Sequence, residues 1–529
     1  LFTLSDIHKA KNFFIKFKNR DFLAYQEQSI EFIINSTKKF VILESPPGTG
    51  KSLIGMIAGH LSKNMVYLVQ NKALQEQIIG DHPEARLLKG RSNYPCGANP
   101  ERRADNCPKS KCIPNCEYLL QKQIVKTHPL RILNYSYFIT ESNFIGGFSG
   151  IPFAVLDEAD LLSDILPNFI SLIITQKDIQ QLGLSPPRYR TTSSVHSIEE
   201  WRKWAENALK CVKIDYKEIE LKIRLLNIRV QTKYHEVLTN NLKRLETLQY
   251  KLNLFIIHVD ESWIYEVKSS KYGENWSFSP KWLTPELSNE YFFKHFPGKI
   301  VMMSAIFPPM NVFAHMLGIS LEDIDYLRLP STFPRENRPV YLRPAGDLTY
   351  EKFKIEAPKI SQYVIEIMNK YSNKKGLVHC TSYKLRDYFI KYIKTNGNNI
   401  IDRIITHNSD NRALQLLLFK QSKKPLVMFS PSFERGISLD DELARFIIVA
   451  KCPYENLQDK IVKARLYGSG SVGRLWYQSA AVLTLIQSMY RGNRSPTDYC
   501  DIWLIDEQIK KLIFNNLNLF PKYIRDSIQ

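Results

Sequence analysis

The sequence predicts an α/β protein made of two parallel-sheet domains in tandem, the first of them interrupted by two insertions. Three observations predict it. Short apolar runs alternate with helix-like stretches from residue 40, and the alternation is taken up again from residue 336. Four of the eight cysteines crowd into residues 96–116. Between Tyr189 and Tyr272 there is neither Gly nor Pro, and apolar residues recur at mostly helical spacing among many charges. With 529 residues the chain exceeds what one hydrophobic core organises, so three or four domains are expected.

The first element is the run FVILESPPGTGKSLIGMIAGHL, an apolar strand over residues 40–43, a Pro/Gly turn, and a helix from Lys51 onward. MVYLVQNKALQEQI repeats the strand-to-helix order. RILNYSYFI and FAVLDEADLL add two strands after the cysteine stretch, and KIVMMSAIF adds another beyond the helical segment. Before that last strand, WIYEVKSSKYGENWSFSPKW alternates like a hairpin. In the second half GLVHCT, RIITH, PLVMFS, RFIIVAKCPY and DIWLID alternate with helical stretches, which implies the second α/β domain. Neither a sequence repeat nor a low-complexity tract is evident.

Lys and Arg number 72 against 53 Asp and Glu, a formal charge of +19, which favours an anionic partner such as nucleic acid over a merely soluble basic surface. No apolar run approaches a membrane span and the first residues lack a signal-peptide cleavage pattern, so an intracellular, soluble protein without a membrane partner is expected. In such a compartment disulfides are disfavoured. Cys211, Cys380, Cys452 and Cys500 are scattered singly, as small core residues are, whereas Cys96, Cys107, Cys112 and Cys116 point to a metal.

In ESPPGTGKS the turn Pro47, Gly48, Thr49 and Gly50 can direct backbone amides at a phosphate. Lys51 can bridge β- and γ-phosphates, and Ser52 can ligate Mg²⁺. Ser45 stands where the strict pattern has Gly. The partner motif is VLDEAD: a strand ending in Asp157, to hold Mg²⁺, and Glu158, to orient the attacking water. Alone, that tetrad could be a solvated acidic loop; about a hundred residues beyond a phosphate loop it reads as catalytic. Near the C-terminus QSMYRGNRS offers Arg491 and Arg494, three residues apart on one face of a predicted helix, as cationic fingers from the second domain.

Taken in order, these residues resemble the XPD/DinG family of iron–sulfur helicases in superfamily 2, along most of the chain. Arg20 and AYQ with Gln26 resemble the adenine-reading element, ESPPGTGKS motif I, and ALQEQ with Leu74 and Gln77 motif Ia. NYSYF, with Asn134 and Tyr135, stands where the family has an Asn-His or Asn-Tyr strand end. VLDEAD resembles motif II, MMSAIF motif III, HCTSYKLRDYF motif IV, FERGISLDDELARFIIVAKCPY motif V and QSMYRGNRSPTDYCDIWLID motif VI. The pair Trp476-Tyr477 resembles the shorter DinG-like set that includes phage and archaeal members.

The resemblance implies two RecA-like motor domains, the first built from residues 1–90, 121–162 and 293–335 and the second spanning 336–529. It also implies a cluster domain over 91–120 and a helical, arch-like insertion over 163–292. It implies ATP and Mg²⁺ as substrate and cofactor, and a 4Fe–4S cluster on Cys96, Cys107, Cys112 and Cys116. Four thiolates can also hold tetrahedral Zn²⁺, which spacing does not exclude, but the absence of two CxxC pairs and the position of the stretch favour the cluster. The implied activity is ATP-driven 5′→3′ translocation on single-stranded DNA and unwinding of forked duplex DNA by a monomeric motor, in the cytoplasm and nucleoid, in a eukaryotic nucleus, or from a virus or phage. Gln487 of motif VI joins Lys51, Asp157, Glu158, Arg491 and Arg494 in the catalytic set. Strand contacts are expected from Lys89, Arg91, Tyr94, Arg102 and Arg103 beside the cysteines, where a solvated basic loop is the alternative, and from Thr381, Ser382 and Tyr383.

Four departures stand out. Motif II has Asp160 where most of the family has His, motif III has Ile306 where it has Thr, motif V has Arg435 and Ser438 where it has Glu and Asp, and motif VI has Tyr490 where it has Gly. Ser495 and Asp498 are kept. The altered motifs III and V motivate two other readings, a nucleic-acid-binding subunit of a larger assembly and an ATP-driven remodeller of nucleoprotein or RNA–DNA hybrids.

Overall fold

The computed structural model describes residues 2–97, 99–106, 116–187, 194–226, 232–270, 273–433, 437–493, 495 and 497–529. Its strands, in chain order, are β1 (Phe40–Glu44), β2 (Met65–Val69), β3 (Arg86–Leu87), β4 (Pro95–Cys96), β5 (Asn99–Arg103), β6 (Leu130–Asn134), β7 (Phe153–Asp157), β8 (Leu172–Thr175) and β9 (Trp263–Ser270). They continue with β10 (Gly273–Pro280), β11 (Lys299–Ser304), β12 (Ile324–Arg328), β13 (Val340–Gly346), β14 (Gly376–His379), β15 (Ile404–Thr406), β16 (Val427–Ser430), β17 (Phe446–Val449) and β18 (Asp501–Asp506).

The apolar runs of the first half form one parallel seven-stranded sheet in the order β12-β1-β11-β7-β2-β6-β3. Every residue of β1 and β2 is buried, as strands covered by helices on both faces must be, and such strands read as continuous rather than alternating apolar runs. The second half forms a parallel six-stranded sheet, β13-β18-β17-β14-β16-β15. The two α/β domains predicted from the alternation are therefore both present.

The Gly- and Pro-free segment contains the helices Ser194–Leu225 and Thr232–His258. They run antiparallel: Tyr216 donates to Glu246 at 3.2 Å, and Arg202 donates to the carbonyls of Ile256 and Val259, each at 3.2 Å. A three-stranded antiparallel sheet, β8-β10-β9, closes the insertion, its hairpin β9–β10 being the one expected from alternation.

That hairpin end also touches the second domain. Lys268 pairs with Asp459 at 2.8 Å, and Trp282 Nε1 donates to Ser469 Oγ at 2.8 Å. The Arg465 guanidinium lies 4.8 Å from the Trp282 ring and 5.3 Å from that of Trp476. The two indoles also meet edge-on, their centroids 5.6 Å apart, so a desolvated cation and two rings form one joint.

Cys96, Ala104, Cys116 and Tyr118, from the cysteine stretch and its exit helix, pack into the same buried cluster as Phe40, Ile42 and Leu156 of the first sheet. The stretch thus borrows the core of the first domain. Among the described residues no helix is long and apolar enough to cross a membrane.

Candidate nucleotide site and cysteine centre

The C-terminal ends of three neighbouring strands build the site, the position where open parallel sheets place their ligands. β1 delivers Glu44 and then the phosphate loop, β11 ends in Ser304, and β7 ends in Asp157; the registers set Glu44 beside Ser304 and Met303 beside Asp157. The Ser45 amide donates to the Ser304 carbonyl at 2.9 Å, which carries the sheet ladder one residue into the loop.

Within the loop, Gly48 and Gly50 take φ of +82° and +77°, a region that disfavours residues with a Cβ. Thr49 Oγ1 donates to the Pro46 carbonyl at 2.9 Å and also bonds Ser45 Oγ. Gln26 is buried and holds the loop from the side, its Nε2 donating to the Thr49 carbonyl at 2.9 Å while its Oε1 accepts from the Leu23 amide at 2.9 Å. Lys51 begins the helix Lys51–Leu61, and its Nζ donates to the carbonyls of Ser45 at 2.8 Å and Pro46 at 3.4 Å. Ser52 follows on the first turn.

Asp157 faces this lysine. Burial pushes its carboxyl up, and the charge of Lys51 and the hydroxyl of Tyr67 oppose that rise. Tyr67 donates to Asp157 Oδ2 at 3.1 Å, and Tyr135 donates to the Asp157 carbonyl at 2.8 Å. A carboxylate penalised by desolvation in this way is a good seat for a divalent cation, because the cation restores what burial removed. Ser52 and Asp157 therefore fit Mg²⁺. Glu158 follows at φ +50°, a strained left-handed backbone, its amide donating to Asp157 Oδ1 at 3.0 Å. Tyr67 escapes a motif-based reading because its only sequence signal is a polar atom inside an all-apolar strand.

Asp160 makes the connection to the second domain. It accepts from Ser304 Oγ at 2.5 Å and from Gln487 Nε2 at 3.2 Å, so one buried carboxylate bridges motifs II, III and VI. The substitution of His by Asp and the loss of the motif III threonine meet here: the link runs through Ser304. Ile306 is buried and belongs to the apolar cluster of the second domain, an apolar anchor where the family has a hydroxyl. Asp160→Ala should leave two buried donors without their acceptor, at roughly 1–3 kcal/mol each. The expected result is DNA-stimulated ATP turnover lowered by about tenfold or more with nucleotide affinity retained, read by steady-state kinetics beside a nucleotide titration.

Arg491 lies beyond the helix predicted to carry it. The helix Gly470–Met489 closes at Tyr490, and Arg491 follows in a turn, its Nε donating to the Gln487 carbonyl at 2.7 Å and its Nη1 to the Ile437 carbonyl at 3.2 Å. The Gly492-Asn493 pair just beyond the helix end is a breaker signal that competes with the charge spacing. Arg494, Arg435, Cys107 and Cys112 lie outside the described residues. Ser438 Oγ donates to Asp440, and Asp498 accepts from Arg445 Nη1 at 2.8 Å in a buried pair.

Cys96 and Cys116 are both buried, at the end of β4 and immediately before the helix Glu117–Thr127. Both thiols are shielded from solvent, as the ligands of a soft metal are, and the residues between them at 107–115 lie outside the described residues. Among the described residues no group of three or more His, Cys, Asp or Glu is placed to hold a metal. Lys243 of the helical insertion donates to Asn106 at 3.1 Å and pairs with Asp105 at 3.3 Å, tying the insertion to this stretch.

The basic and aromatic residues beside the cysteines are divided in their roles. Arg102 is buried and Arg103 exposed. Lys89 pairs with Glu76, its amide donates to Tyr94 Oη at 3.2 Å, and the Arg91 guanidinium lies 5.4 Å from the Tyr118 ring. Lys89 and Arg91 are half-buried, so Arg103 is the most exposed of these charges. In the second domain Thr381 takes φ +55°, Ser382 caps the helix Tyr383–Asn396, and Tyr383 is exposed, with Arg386 at 4.8 Å from its ring.

Residues 364–527 match the family described as helicase C-terminal domain. No curated protein sequence matches the chain. Among solved structures, one titled XPD apo is 16% identical, with 94% of this chain and 98% of that chain covered at a TM-score of 0.62. Xpd4 of S. tokodaii is 16% identical, covering 96% and 99% at 0.56, and a structure titled XPD helicase is 16% identical, covering 94% and 97% at 0.60. The resemblance to XPD/DinG helicases read from motif order is borne out in the fold and in the second domain.

Proposed function

We propose, from a chain with the fold of an XPD helicase and a helicase C-terminal domain, that it is an ATP-dependent DNA helicase moving 5′→3′ on a single strand and opening the duplex ahead. The observation that carries the reading is the Asp160 bridge, which joins the strand end bearing Asp157 and Glu158 to the motif VI helix of the other domain.

The chain's residues would divide the work as follows. The loop amides and Lys51 bind the phosphates. Ser52 and Asp157 would hold Mg²⁺, which neutralises charge on the β- and γ-phosphates. Glu158 orients the attacking water and accepts its proton. Arg491, with Arg494, balances the charge that grows on the transferred phosphoryl group. Loss of the γ-phosphate then alters what Asp160, Ser304 and Gln487 hold between them, and the domains shift along the strand. Cys96, Cys107, Cys112 and Cys116 would bind a 4Fe–4S cluster or Zn²⁺ that staples a stretch otherwise short of core, placing a wedge beside the helical insertion.

Strand displacement by anaerobically purified protein on duplexes with a 5′ or a 3′ single-stranded tail tests the reading. ATP-dependent displacement from the 5′ tail alone is the expected result. Hydrolysis stimulated by DNA without displacement would replace the helicase by the nucleoprotein remodeller or partner-dependent subunit, and displacement from the 3′ tail would reverse the polarity.

A further inference from the structure

A second connection between the two halves of the ATP site runs through the linker from β12 to β13. The linker starts on the phosphate-loop strand, where the Leu329 amide donates to the Glu44 carbonyl at 2.8 Å. Four residues on, Phe333 is buried with its ring against the loop. A Cβ placed on Gly48 would lie 2.1 Å from Phe333 Cζ, with the next two nearest atoms, at 2.8 and 3.1 Å, also on that ring.

The backbone behind the ring is clamped. Arg338 Nη2 donates to the Phe333 carbonyl at 3.0 Å and Nη1 to Ser331 Oγ at 2.8 Å, while the Phe333 amide donates to Ser331 Oγ at 3.3 Å. The buried Arg338 guanidinium lies 5.0 Å from the Tyr523 ring and 6.0 Å from that of Tyr490, the residue immediately before Arg491. The Asn337 carbonyl accepts from the Cys500 amide at 3.0 Å and from Asn493 Nδ2 at 3.3 Å, which straps the linker to the turn that carries Arg491.

We propose that Phe333 is a positioning residue of the ATP site: its ring reads the conformation of the phosphate loop at Gly48 and relays it, through Arg338 and Tyr490, to the placement of Arg491. The inference rests on the ATPase reading above and adds a residue that none of the motifs contains. The physical reason is packing. A glycine with no side chain and an aromatic ring in contact leave no gap to absorb a loop movement, so the ring moves with the loop. Lys51 holds the Ser45 and Pro46 carbonyls, three and two residues from Gly48, and turning to a phosphate means releasing them, which moves that backbone. At the far end Tyr490 supplies an aromatic face for Arg338 where the resembling family has glycine.

The test compares the wild-type chain with Phe333→Ala, Phe333→Leu, Tyr490→Ala and the Phe333→Ala/Tyr490→Ala pair. ATP turnover with and without single-stranded DNA is measured beside equilibrium binding of a fluorescent ATP analogue, and thermal melting confirms folding. Phe333→Ala is expected to lower kcat by about tenfold with analogue affinity changed less than about twofold, because positioning acts on the transition state. Phe333→Leu should recover most of the rate. The double variant should be no slower than the slower single one, as residues acting in series are not additive.

An unchanged kcat in Phe333→Ala overturns the proposal, as does an equal loss of affinity and rate in both Phe333 variants, which would mark a ring that only buries the linker. A wild-type chain that binds the analogue and hydrolyses nothing would remove the ATPase reading and this proposal together; an active wild type with an equally active Phe333→Ala removes this proposal alone.

Discussion

Lys51→Ala is expected to bind DNA and to hydrolyse almost no ATP. Lys51 Nζ is the cation nearest the loop carbonyls, bonded to Ser45 and Pro46, and its charge acts on Asp157 across the site. Its removal takes away the charge that bridges the phosphates, a loss on the order of a hundredfold or more in turnover when a preorganised charge is deleted from a dry site. Folding is expected to survive. The helix Lys51–Leu61 keeps its buried face, Leu53, Ile54, Met56, Ile57 and Ala58, and the loop keeps the Gln26 and Thr49 bonds. ATP hydrolysis beside a filter or anisotropy measurement of DNA binding checks this. Normal turnover would overturn the assignment of the loop, and loss of DNA binding together with a lowered melting temperature would mark a folding defect in its place.

Cys116→Ser and Cys112→Ser are expected to lose the proposed metal and strand displacement while keeping part of the DNA-stimulated ATP turnover. Cys116 sits at the joint between the stretch and the helix Glu117–Thr127, buried beside Tyr118, whose hydroxyl meets that of Tyr137 at 2.9 Å. A metal that joins distant thiolates supplies folding free energy that a short stretch with few apolar residues lacks. The nucleotide site stands on β1, β7 and β11 and needs none of these residues. Metal analysis with visible absorption spectra, beside displacement and hydrolysis assays, checks the expectation. Iron and sulfide in the wild type would support the cluster, and zinc would correct its identity. Wild-type unwinding in the serine variants would overturn the wedge role.

The features legible in the sequence were those written locally. A phosphate loop is a stretch whose spacing is its geometry, and Gly48 and Gly50 take the positive φ that their residue type permits. Continuous apolar runs read as buried parallel strands because each is covered on both faces. A segment free of Gly and Pro read as paired helices for the same kind of local reason. The helix ends before Arg491 because two local signals compete there, charge spacing against the Gly492-Asn493 breaker, and the breaker prevails. The basic cluster read as a strand path mixed residues with different fates, since composition does not say that Arg102 is buried and Arg103 is exposed.

By itself, the sequence determined the two parallel sheets, the chemistry of the phosphate loop and its acidic partner, and the cysteine set. Only the tertiary structure decided how the two domains touch. Asp160 meets Ser304 across 144 residues and Gln487 across 327, Ile306 enters the other domain's core, and Phe333 lands on Gly48. Such contacts follow from strand order and domain closure, and neither leaves a periodic trace in the residues that make them. A carboxylate in place of histidine, or an isoleucine in place of threonine, reads as a defect until the fold brings its compensating partner alongside.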